Sequence, residues 1–201
     1  MLSEIVDVVL KSLYARSASL YNHSMVTGRL AQQLVVAGDL WRDYDPQQAH
    51  IAGLLHDAGK LFLPDAILLK SGPLDDTERG VMELHPIWGG QFCQGTVLET
   101  FKQVVLQHHE KPDGTGYPLG TREVCFEARI IQVADTLAAL MDDRPYRREI
   151  LHPHFLLRQV RETVEGLFAG EKERKVLHAV RVVLGLAEGK HARPPLSLVT
   201  T

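Results

Sequence analysis

Apolar side chains recur at three- and four-residue spacing along most of the chain, the signature of helices with one buried face. Leu20, His23, Leu30 and Leu34 fall near one face of a segment that closes around Gly38. Asp45 followed by Pro46 is a helix-start signal, and the pattern after it predicts a helix running to about Gly59. EARIIQVADTLAALM sets Ile130, Val133, Leu137 and Leu140 at the same spacing, with Pro145 as the stop. Two further helical patterns occupy residues 152–166 and 171–187. FKQVVLQ and RVVLGLA are valine-rich, but no alternating run is paired with a hairpin turn, so the fold class expected is all-α.

The opening MLSEIVDVVLKSL carries Glu4 and Asp7 and reads as an amphipathic helix, not a signal peptide. No uncharged apolar run approaches the roughly 18 residues of a membrane span. The expected setting is soluble, reducing and cytoplasmic, with no membrane partner. Two segments interrupt the helical pattern. Residues 61–76 contain Pro64, Gly72 and Pro73, and residues 110–126 contain KPDGTGYPLGTREVC. A structureless loop of the second kind inside a compact domain is usually functional. With no repeat and no linker, residues 1–189 are expected to form a single domain, and residues 190–201 a fraying tail.

The composition narrows the function classes. The 201 residues are 45% hydrophobic and 23% charged, which excludes a wholly disordered chain. Lys and Arg number 22 against 25 Asp and Glu, so no general basic surface points to polymeric nucleic acid, and an anionic substrate would need a local positive site. Cys93 and Cys125 are too few for a disulfide framework or a thiolate zinc module. The ten histidines are the unusual entry in the composition.

Several of those histidines sit where ligands can converge. In HDAGK, His56 and Asp57 stand at a predicted helix end. Adjacent helical residues point about 100° apart, so they can share a metal only where the helix stops, and Gly59 is read as that stop. His108-His109 also falls at a helix end, before the glycine-rich loop, while His23, His85 and Asp135 lie on other helices. Each piece alone is ordinary: an HD dipeptide arises by chance, and a lone helix histidine is commonly structural. Asp135 is less so, because an unpaired carboxylate in an apolar helix is costly. Together the five imidazoles and two carboxylates are enough for two metal ions. Imidazole and carboxylate without thiolate suit iron, manganese, zinc or nickel, and argue against magnesium or calcium alone.

HDAGK, the following LPDAILLKSGPL, His85-Pro86, HHE at 108–110, DGTGYP at 113–118 and EARIIQVADTLAALMDDRPYR together resemble the HD-GYP phosphodiesterases, in order and spacing, from about His23 to Arg147. The resemblance implies a helical HD-domain bundle with a long Gly/Pro loop carrying DGTGYP, and hydrolysis of cyclic di-GMP. It implies one metal on His23, His56, Asp57 and Asp135, and a second on His85, His108 and His109, with Asp57 bridging. Iron or manganese are the expected ions, with zinc or nickel as alternatives. Asp57 and Lys60 would be catalytic, the lysine neutralising a phosphate oxygen. Arg144 and Arg147 resemble residues that face the substrate phosphates, and Tyr117 either touches substrate or packs on the core. A hydroxide bridging the metals would open the ring to linear pGpG, with onward cleavage to GMP left open. Ser19 stands where some family members carry a glutamate for a third metal, and Ala138 where the family commonly carries a second aspartate, so two metals are expected. Two alternatives stand beside this reading: an HD-class hydrolase of another cyclic dinucleotide or nucleotide phosphate, and an inactive signalling module. A homodimer or a separate regulatory partner is compatible with either. His50, His152, His154, His178 and His191 are read as surface or packing residues.

Overall fold

The computed structural model describes residues 1–141 and 152–186. Helix α1 (Leu2–Arg16) buries Val6, Val9, Leu10 and Leu13, one stripe at helical spacing. Ser17, in extended backbone, separates it from α2 (Ala18–Ala37). Helix α3 (Pro46–Leu55) starts as the sequence predicts, with Asp45 Oδ1 accepting the Gln48 amide at 2.9 Å. It ends earlier than expected. His56 keeps helical angles, Asp57 leaves them at φ −96°, and a 3₁₀ helix occupies Ala58–Phe62. Gly59 is therefore inside that turn and does not terminate α3.

Helix α4 (Asp65–Leu68) is a single turn within the first of the two interruptions. Helix α5 (Asp76–Met82) opens on a capping box formed by Asp75 and Glu78. Helix α6 (His85–Cys93) follows, then a 3₁₀ turn at Glu99–Phe101 and α7 (Lys102–Gln107). The second interruption leads into α8 (Phe126–Met141). The two C-terminal patterns become α9 (Pro153–Leu167) and α10 (Gly170–Val183). Among the described residues there is no strand, so the all-α expectation holds. Pro145, Arg144, Arg147 and the tail at 190–201 lie outside the described residues.

The core forms where α2 packs on α3 and α8, with α1 and α10 also packed against α2. Leu30, Leu34, Leu55, Ile130, Ile131 and Leu137 have no exposed surface. Burial of each such side chain stabilises by about 1.5–3 kcal/mol before entropy is counted. Leu156, Val160 and Val164 of α9 and Val176 and Val180 of α10 join the same cluster.

Two glycine contacts fix how the helices approach. A Cβ on Gly53 of α3 would lie 2.6 Å from Gly28 Cα of α2, so these helices touch main chain to main chain. A Cβ on Gly59 would lie 1.8 Å from the His85 carbonyl oxygen and 2.6 Å from the Gly89 nitrogen. That approach is why glycine stands in HDAGK: it seats α6 directly against the turn that carries Asp57. Arg16 completes the wall by donating from Nη1 to Leu61 O and from Nη2 to Leu63 O, both at 2.7 Å.

Candidate metal centre

All seven residues that the sequence assigns to metal binding converge. His23 from α2, His56 at the end of α3 and Asp135 from α8 form one group, and Asp57, His85, His108 and His109 form another. Within each group the ligand atoms lie within 4.8 Å of one another. Asp57 faces both: its Oδ2 is 3.3 Å from His56 Nε2, and its Oδ1 is 3.2 Å from His85 Nε2 and 4.0 Å from His108 Nε2. Asp135 Oδ1 lies 2.8 Å from His23 Nε2 and 3.8 Å from His56 Nε2.

The local fold decides which nitrogen each ring offers. The Nδ1 of His56 meets Gly53 O at 2.7 Å, that of His85 meets Met82 O at 2.8 Å, and that of His108 meets Val105 O at 2.7 Å. A carbonyl only accepts, so each Nδ1 carries the proton and each Nε2 of the neutral ring presents a lone pair. In all three the acceptor is three residues earlier in the chain, which is what a ring at the first or last turn of a short helix can reach.

Those lone pairs make the test of fit. His85 Nε2 and His108 Nε2 face each other at 3.3 Å, two acceptors with nothing to donate. Among the described residues, His56 Nε2 and Asp57 Oδ1 are buried polar atoms without a hydrogen-bond partner. An orphaned buried acceptor costs about 1–3 kcal/mol. Several converging on one point form a set that cations would satisfy, and the residues present fit two metal ions.

The charge states of the second group agree with that fit. In the first, the Asp57 carboxylate raises His56 against its burial, so that in the absence of metal a proton stands where a cation would. Burial pulls the His108 imidazole well below the ordinary 6.5, and the neighbouring His109, His56 and His85 pull it further. Burial takes His109 down to about 3, so both rings are neutral ligands at neutral pH. Burial would raise Asp57, but the Lys60 ammonium and the His56 ring outweigh it and hold the carboxylate well below its usual range. Asp135 is likewise brought to about 2, because the hydrogen bond from His23 and the charge of His56 outweigh its burial. Lys60 Nζ donates to Asp57 Oδ2 at 2.7 Å. Burial would lower its pKa, but Asp57 raises it instead, so the lysine stays charged beside the centre.

Tyr117 lies over the second group, its ring stacked on His109 with centroids 4.6 Å apart. Two residues beside the ligands gave no functional signal in the sequence beyond their place in the motif. Gln107 and Glu110 bracket His108-His109, and both are buried. Glu110 accepts backbone amides of the DGTGYP loop, and Gln107 holds the chain just beyond it. The available signal was a polar side chain on each side of the HH pair, with a glycine-rich loop directly after it. Outside the cluster, His152 and His154 stack on each other, and His178 is exposed. His191 lies outside the described residues.

Known proteins align with this arrangement. The cyclic di-GMP phosphodiesterase response regulator RpfG of Xanthomonas campestris is 38% identical over 136 residues, covering 65% of this chain and 35% of that protein. The 3'3'-cGAMP-specific phosphodiesterase 3 of Vibrio cholerae is 37% identical over 150 residues, covering 71% of this chain and 32% of that protein. The chain thus spans about a third of the length of these curated relatives. Among solved structures, the Listeria monocytogenes phosphodiesterase PgpH HD domain in complex with cyclic-di-AMP superposes with a TM-score of 0.63 at 13% identity, covering 89% of this chain and 97% of that one. That likeness is one of fold. The relatives bear out the HD-GYP resemblance carried by the motifs, and the HD domain family itself matches residues 1–154. With His56 and Asp57 as the hinge between the two ligand groups, and the match running through every helix that supplies a ligand, the protein belongs to the HD domain family.

Proposed function

We propose that the protein is a metal-dependent phosphodiesterase that hydrolyses cyclic di-GMP, consuming one water and breaking one P–O ester bond to give linear pGpG. The observation that carries this reading is the pair of ligand groups joined through the two oxygens of Asp57, with buried atoms left without a hydrogen-bond partner that cations would satisfy. Iron or manganese, bound by these groups, would supply an acidified water and positive charge at the phosphoryl oxygens.

The chain's own residues do the rest. The carbonyls of Gly53, Met82 and Val105 hold three imidazoles in one tautomer, so the ligands need no reorganisation. Asp57 stays ionised between the groups. Lys60 keeps its proton, and its side chain is about one-fifth exposed, placing a fixed positive charge at the edge where a phosphodiester would arrive. This charge is local, which reconciles an anionic substrate with a net charge of −3. Ala138 is buried and offers no ligand, and the exposed Ser19 is short and neutral, which supports two metals over three.

A second reading, hydrolysis of 3'3'-cGAMP, is favoured by the Vibrio cholerae relative at 37% identity. One experiment separates them. Protein purified without oxygen is loaded with iron or manganese, incubated with cyclic di-GMP, 3'3'-cGAMP or cyclic di-AMP, and the products are resolved by chromatography. Faster conversion of cyclic di-GMP, with pGpG as main product, is expected. Preference for 3'3'-cGAMP supports the second reading, and no turnover of any of the three overturns both.

A further inference from the structure

Three of the ligand histidines are oriented through Nδ1 by a carbonyl three residues back, within the same helix for His56 and His108 and at the end of the preceding helix for His85. His109 is different. Among the described residues no hydrogen bond reaches its ring; the His108 ring is near at 4.1 Å but tilted by 44°, and the ring stacked on it is Tyr117, at 4.6 Å with planes 24° apart. Tyr117 belongs to the loop that leaves Glu110 and returns over it. The return is close: the Tyr117 amide donates to His109 O at 3.2 Å, and a Cβ on Gly116 would fall 2.5 Å from that oxygen and 2.4 Å from Lys111 N.

Two buried side chains hold the returning limb. Glu110 has no exposed surface, and accepts the Leu119 amide at Oε1 (2.6 Å) and the Thr121 amide at Oε2 (3.1 Å). Gln107 donates from Nε2 to Glu123 O at 2.8 Å and accepts the Cys125 amide at Oε1 at 2.9 Å. The four consecutive residues Gln107-His108-His109-Glu110 thus divide the work: the inner two face Asp57, and the outer two grip the backbone that covers them.

Building on the metal-centre reading, we propose that Gln107 and Glu110 are positioning residues for His109. By fixing the returning limb they press Tyr117 onto the imidazole, and the stacked ring does for His109 what a carbonyl acceptor does for His56, His85 and His108. Outer partners of a ligating histidine commonly change metal affinity about 10–100-fold when removed. Glu110→Gln keeps the shape but sets an NH₂ against one of the two amides, since a carboxamide has a single acceptor oxygen. Tyr117→Leu removes the ring, whereas Tyr117→Phe keeps it.

Competition titration of the full chain with manganese, together with amide hydrogen exchange, tests this. Expected are two ions bound by the unaltered protein, one of them weakened about 10–100-fold in Glu110→Gln and Tyr117→Leu, and both retained in Tyr117→Phe. Exchange at Leu119 and Thr121 should rise in Glu110→Gln and stay low in Tyr117→Phe. Two ions held as tightly in Glu110→Gln and Tyr117→Leu as in the unaltered protein would overturn the proposal. So would a Tyr117→Phe variant as weak as Tyr117→Leu. Should Glu110→Gln not fold, the contrast between the two tyrosine variants decides. An unaltered protein that takes up no metal overturns the metal-centre reading as well, which separates the two failures.

Discussion

Replacing Gly59 by alanine should damage the fold and the metal centre together. The added Cβ would stand 1.8 Å from the His85 carbonyl oxygen, 2.6 Å from the Gly89 nitrogen and 2.8 Å from the His85 carbonyl carbon. Even a 3.0 Å contact is at the limit of what real Cβ atoms show, so main chain must retreat by at least 1.2 Å. All three obstacles are backbone and cannot rotate away as a side-chain tip would. Overpacking costs about 1–3 kcal/mol, and a backbone collision belongs at the upper end. At about 2–4 °C per kcal/mol for a chain of this size, the melting temperature should drop by about 6–12 °C. The same retreat carries His85 Nε2 away from Asp57 Oδ1, now 3.2 Å apart. Metal-ligand distances tolerate only about ±0.2 Å, so one ion per chain should be lost or weakened. Gly80→Ala is the control: nothing lies within 4 Å of its Cβ in α5, and alanine there should stabilise by up to about 1 kcal/mol. Calorimetric melts and metal analysis by plasma mass spectrometry read both effects. A Gly59→Ala protein that melts within about 2 °C of the unaltered one and keeps both ions would refute the reasoning.

Asp57→Ala should abolish metal-dependent turnover, to below about a thousandth or ~4 kcal/mol in barrier, while the exposed His178→Ala leaves it unchanged; initial rates with metal content check both. Lys60→Gln should retain the metals and lower kcat/KM by about 10–100-fold, the loss of one charged contact to a phosphate, read from steady-state kinetics. Metal-free protein should lose stability as pH falls between about 6.5 and 3, since the unfolded chain protonates its histidines near 6.5 while burial keeps His108 and His109 neutral in the fold, His109 down to about 3. Each contributes up to about 1.4 kcal/mol per pH unit. His56, raised by Asp57 against its burial, contributes with the opposite sign, so urea titrations at about pH 7 and about pH 5 should show a net loss; equal stability would refute it.

The ligands were legible in the sequence because metal chemistry restricts residue type, and because paired ligands must sit where a helix stops. Helix starts were legible where a side chain caps them, as at Asp45. The stop after α3 was misplaced because a glycine at that point of the pattern reads as a helix stop, whereas Gly59 leaves room for a carbonyl 26 positions downstream at His85. Only the tertiary packing of α6 reveals that. Gln107 and Glu110 escaped for a related reason. Their partners are backbone amides and a carbonyl at 119 to 125, and backbone groups have no residue type for a pattern to register.

The contact between Gly28 and Gly53 bears on how such a protein can change over generations. Where side chains separate two helices, a swap from leucine to valine shifts their spacing, and helix pairs settle anywhere over about 8–10 Å. Here the main chains touch, so no substitution can bring α2 and α3 closer, and any side chain at Gly53 meets Gly28 Cα at 2.6 Å. The separation of His23 and His56 is thus set by a ruler that drift elsewhere in the core cannot recalibrate. Novelty in what the centre acts upon has to arise in the parts that do not touch that ruler, the loops around the rim, while the ligand frame is passed on unchanged.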